Sequence, residues 1–97
     1  METQGMRIKK IRQALGLSQD KFGEIFEISK QFVSLLEKDR TFLNNDKLVK
    51  LLLDYNVNMN YLLGGIGEMF NAPKFEQVEG NLTQMVEDIL RKNNLIK

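Results

Sequence analysis

The chain contains no cysteine and no histidine. The first absence rules out a disulfide framework and thiolate metal sites. The second removes the usual zinc sites and histidine-based acid–base catalysis. No metal and no cofactor are expected. An enzyme would need a Ser/Lys or carboxylate site, and no spacing of such residues suggests one. No apolar run approaches the roughly 20 residues that span a bilayer. The opening METQGMRIKK lacks the apolar segment of a secretory signal. A cytoplasmic chain with no membrane contact is therefore expected, and Asn81-Leu82-Thr83 reads as a helix start rather than a glycosylation acceptor. Proline occurs once, at position 73, in a stretch with no sustained period that reads as a linker.

What is present suits one small α-helical domain. Of the 97 residues, 42% are hydrophobic and 28% charged, as in ordinary globular proteins. The net charge is only +1, but it is divided unevenly. Residues 1–50 hold ten Lys/Arg against seven Asp/Glu, and residues 51–97 hold four against six. A basic front half suits a face turned toward phosphates.

The stretch Ser18 to Glu37, SQDKFGEIFEISKQFVSLLE, organises the rest. Ser18 can cap a helix, on which Phe22, Ile25 and Phe26 share one face. The pattern stops near Glu27. Ser29 is a second cap, followed by Phe32, Val33 and Leu36. Two short amphipathic helices with so brief a break must cross steeply, as a helix-turn-helix. Before them, Met6, Ile8, Ile11 and Leu15 mark a first helix with Gly16 closing it. Its polar side is expected to carry Arg7, Lys9, Lys10 and Arg12. After them, one of Asn44, Asn45 and Asp46 caps a fourth helix bearing Leu48, Leu51, Leu52 and Tyr55. Asn56 or Asn58 separates it from a short fifth helix with Met59, Tyr61, Leu62 and Leu63, stopped at Gly64-Gly65. Those glycines are read as a helix stop, because no strand precedes and no Lys-Ser/Thr follows to make a phosphate loop. The spacing predicts a linker over 71–80 and an amphipathic helix over 81–97, with Asn81 as cap and a stripe of Leu82, Met85, Val86, Ile89 and Leu90. A lone helix of this length must bury its stripe, on its own domain or against a second subunit.

The central stretch resembles the helix-turn-helix of the phage lambda repressor and Cro family, also called the XRE family. The matching residues are Ser18-Gln19, Phe22, Gly23, Phe26, Ile28, Ser29, Val33, Leu36 and Glu37, and NVNMNYLLGGIGEMF resembles the family's usual ending. One departure stands out. The family often has Gly at the turn, where this chain has Glu27. The resemblance implies an all-α fold: a compact five-helix domain over 1–70, with the C-terminal helix as an addition whose stripe is either a dimerisation element or a cover for its own domain.

It also implies a function: a sequence-specific double-stranded DNA-binding regulator, a repressor that binds a near-palindromic operator as a homodimer. By the same resemblance Lys30, Gln31 and Ser34 on the third helix contact bases. Gln19, Ser29, Lys38 and Arg40 contact phosphates, and Arg12 and Glu37 form a structural ion pair. Leu35 and Ile25 fall on positions the family usually leaves polar. They extend the core, meet a thymine methyl in the case of Leu35, or belong to a surface for a protein partner. That last option makes an antitoxin or antirepressor-type interaction module the rival reading.

Overall fold

A computed structural model describes residues 1–72. Within them the chain is all-helical: α1 (Gln4–Ala14), α2 (Gln19–Phe26), α3 (Lys30–Glu37), α4 (Asn45–Tyr55) and α5 (Met59–Gly64). No strand forms among the described residues; there is only an isolated antiparallel bridge between Val57 and Phe70. The expected helix over 81–97, its dimerisation stripe, and the expected linker beyond Ala72 lie outside the described residues.

The helix starts follow from side chains close in sequence. Thr3, Ser18, Ser29 and Asn44 are the N-caps of α1 to α4, and each side chain accepts a hydrogen bond from the backbone N–H three residues on. Each such bond satisfies a donor that the helix leaves unpaired and is worth about 1 kcal/mol. Asn56 closes α4 in the left-handed conformation and Asn58 caps α5, so the two asparagines divide the tasks of stopping and starting. Gly65, with φ of +70°, ends α5.

The core is a single cluster of Ile8, Ile11, Phe22, Phe26, Val33, Leu36, Leu43, Leu51, Val57 and Leu62. Phe22 and Phe26 stack at 4.4 Å between ring centroids, and Tyr55 from α4 approaches Phe26 at 5.7 Å. After α5 the chain turns back along the α4–α5 connection. Asn58 donates to the Met69 carbonyl at 2.9 Å, and Asn71 donates to that of Asn56 at 2.9 Å.

α1 is rotated from its expected orientation. Met6 is exposed, whereas Arg7 and Arg12 are buried. Gly5 explains this. A Cβ built there would lie 2.5 Å from the Leu36 carbonyl oxygen, so the bare backbone of α1 rests on the C-terminal end of α3. That contact turns Gly5, Ile8 and Arg12 inward and carries Met6 out. Helix α1 ends at Ala14 with Leu15 as its C-cap, and Gly16 follows at φ of +74°, the usual place for a left-handed glycine.

Candidate nucleic-acid interface

The turn between α2 and α3 is short because two backbones touch. Ile28 N–H donates to the Gly23 carbonyl at 2.8 Å, and a Cβ on Gly23 would meet the Ile28 oxygen at 2.5 Å. Glycine at 23 thus admits the turn itself. Glu27 sits in the left-handed conformation, at φ of 58°, with no glycine to relieve it. Ser29 then restarts the chain as the cap of α3.

α3 is held from below by one ion-pair network. Arg12 Nε donates to Glu37 Oε2 at 2.6 Å, and Nη2 donates to Oε1 at 3.2 Å. The remaining fork of Arg12 donates from Nη1 to the Leu17 carbonyl at 2.9 Å, and Gln19 Nε2 donates to Glu37 Oε1 at 3.1 Å. The two charged side chains are only 11% and 6% exposed, so each depends on the other. One carboxylate thereby ties the end of α3 to α1 and to the first residue of α2. A planar guanidinium suits this task because it offers paired donors in a fixed geometry.

Above that clamp, Lys30 and Gln31 are exposed on α3 and Ser34 is half-buried beside them. Ser29 is exposed, with its hydroxyl oxygen accepting from Phe32 N–H at 3.0 Å. Lys38 and Arg40 are exposed in the connection after α3, and Gln19 is half-buried. Leu35 is 43% exposed, one helical turn beyond Gln31. Ile25 instead packs half-buried against the core, so it extends the core.

The residues from α1 to the return past α5 also match a known family. A model described as a helix-turn-helix domain covers residues 5–68. The chain belongs to the helix-turn-helix domain family. No curated protein and no solved structure matches the chain. Membership supports a DNA-binding regulator, and such domains typically carry no catalytic activity. Among the described residues no helix is long and apolar enough to cross a membrane.

The cations of this helix-turn-helix fall into two groups. Arg7, Lys10, Arg12, Lys21 and Lys50 are engaged in ion pairs. Lys9, Lys30, Lys38, Arg40 and Lys47 enter none among the described residues. Three of these five, Lys30, Lys38 and Arg40, lie on α3 and the connection that follows it.

Three supporting residues carry no local sequence signal of their role. Arg7 closes the C-terminal end of α5: its Nε donates to the Leu62 carbonyl at 2.9 Å and its Nη2 to that of Leu63 at 3.5 Å. A cation there also meets the negative end of the helix. Asp39, left-handed at φ of 61°, accepts from Gly5 N–H at 2.8 Å. The Thr3 hydroxyl, then the Gly5 N–H, and more weakly the Arg7 charge hold the Asp39 carboxyl below its ordinary value. Lys10 is shifted up by its hydrogen bond to Glu2 and by the charge of that carboxylate.

Proposed function

We propose that the chain is a lambda repressor/Cro-like transcriptional regulator that reads double-stranded DNA with α3, and that it represses by occupying a near-palindromic operator as a homodimer. The observation that carries this reading is the contrast across α3. Its inner side is locked by Arg12 and Glu37, 2.6 Å apart, while Lys30 and Gln31 stand exposed on its outer side.

A helix fits the major groove, where each base pair presents a distinct edge. Gln31 can make paired hydrogen bonds to adenine, Lys30 can donate to guanine, and Ser34 supplies a further hydroxyl. Leu35 offers apolar contact to a thymine methyl. Each good paired contact discriminates by about 1–3 kcal/mol. Phosphates are met by Lys38, Arg40, Ser29 and Gln19. A glutamine amide has two N–H donors, and the bond to Glu37 uses one, which leaves the other for a phosphate oxygen. The clamp gives α3 a fixed angle, so that base contacts are made without reordering the helix.

One such domain covers about one half-site, and two half-sites a helical turn apart require a two-fold pair. A pair seated on a promoter excludes polymerase. The exposed Leu35 also favours a second reading, a protein-binding module of the antitoxin or antirepressor type.

The phosphate assignments are tested by measuring affinity for duplex DNA across a salt series. Removing both charges, in Lys38→Ala with Arg40→Ala, lowers the log–log slope by about 2 per half-site, because each neutralised phosphate contributes about 0.9. An unchanged slope contradicts the assignment.

A further inference from the structure

A shallow groove of about 210 Å³ runs between α4 and α5, lined by Asn45, Leu48, Val49, Leu52, Met59 and Leu63. Five of these six side chains are apolar. On α4 the lining residues recur at 45, 48, 49 and 52, the spacing of one helical face. α4 thus carries two apolar faces: Leu51 is buried in the core, while Val49 is 41% exposed, and Leu63 across the groove is 54% exposed.

The chain enters its C-terminal segment next to this groove. Asn56 Nδ2 donates to the carbonyls of Asn71 and Ala72 at 3.0 and 3.4 Å, and Asn71 Nδ2 donates to that of Val57 at 3.3 Å. Ala72 is thereby fixed at the C-terminal end of α4, one turn past Leu52. The sequence that follows carries a single apolar stripe, Leu82, Met85, Val86, Ile89 and Leu90.

We propose that residues 82–90 of the same chain dock, as an amphipathic helix, into the groove between α4 and α5. Reach permits it. Residues 73–81 span up to about 30 Å when extended, and the length of α4 is about 16 Å, so the stripe reaches any part of the groove. A helix over 82–90 is about 13 Å long, close to the span from Asn45 to Leu52. Tethering decides between the same chain and a second copy. A short flexible linker presents its own segment at an effective concentration of order mM, which a free second copy does not match in dilute solution. A nine-residue helix is marginal in water until its stripe is covered, and the groove supplies that cover. None of Lys30, Gln31, Lys38 and Arg40 lines this groove, so the proposal holds whether or not α3 reads DNA.

The test uses the full chain, which has no cysteine. A nitroxide is attached to Glu87→Cys, a polar position beside the stripe. The expected result is selective loss of the methyl resonances of Val49, Leu52 and Leu63. It is absent when labelled, isotope-free chains are mixed with isotope-labelled chains that carry no nitroxide. Adding Ile89→Asp to the labelled chain restores the resonances, while those of core Leu36 and Val33 are unmoved. Equal loss in the mixed sample overturns the proposal in favour of a second copy as occupant. Groove resonances untouched in both samples overturn it altogether.

Discussion

Arg12 Nε lies 2.6 Å from Glu37 Oε2, and this bond joins the first helix to the last residue of the third across 25 positions of sequence. Breaking a nearly buried pair from one side leaves a charge without a partner, which is far worse than losing both. Arg12→Met is therefore expected to destabilise the domain by about 3 kcal/mol. Arg12→Met combined with Glu37→Leu is expected to recover much of that loss. Denaturant unfolding of the three proteins checks the order. A double variant less stable than Arg12→Met contradicts it.

Glu27 occupies the left-handed conformation at the turn, with φ of 58°. A side chain there costs about 1 kcal/mol relative to glycine, offset in part by the greater freedom glycine has in the unfolded chain. Glu27→Gly is expected to raise the unfolding midpoint with α3 unmoved. The check is a thermal melt together with binding to duplex DNA. A lower midpoint would show that the Glu27 side chain supports the turn in some other way.

Much of this fold is written locally and can be read without coordinates. Ser18, Ser29 and the asparagines announce their helices because a cap acts on a backbone group two or three residues away. The stripes of α2 and α3 stand out because both helices are short and one-sided. α1 misleads for the opposite reason. Arg7 and Met6 are adjacent, and helical spacing alone admits either of them to the buried side. The contacts that decide are distant: Gly5 against the end of α3, and the Arg7 guanidinium on the last carbonyls of α5. Nothing near Gly5 in the sequence points to Asp39. The apolar residues of α4 likewise show no sign of dividing between the core and an outer groove until α5 is set beside them. On α3 the polar run Lys30-Gln31 is plain in the sequence, while the lack of any ion pair at Lys30, Lys38 and Arg40 among the described residues appears only in three dimensions.

Asp39 links the two ends of that α1–α3 contact to pH. Its folded-state pKa is depressed by the Thr3 hydroxyl and the Gly5 N–H. A depressed acid contributes stability that is complete above its unfolded value, near 3.8, and that is lost as pH falls through the lower folded value. Asp39→Asn tolerates the same left-handed backbone and has no such titration. Stability measured from pH 7 to pH 2 is expected to fall less steeply below pH 4 for the variant. Parallel acid limbs would remove Asp39 as a contributor.

Whether α3 reads DNA is decided by selection from a pool of random duplexes. The unaltered chain and Gln31→Ala are selected in parallel at low salt and the bound duplexes sequenced. The expected result is a two-fold symmetric consensus with half-sites about one helical turn apart, in which the variant loses preference at one position per half-site by a factor of about 5–150, the equivalent of 1–3 kcal/mol. The contradicting result is no enrichment for the unaltered chain, or a consensus that Gln31→Ala leaves unchanged.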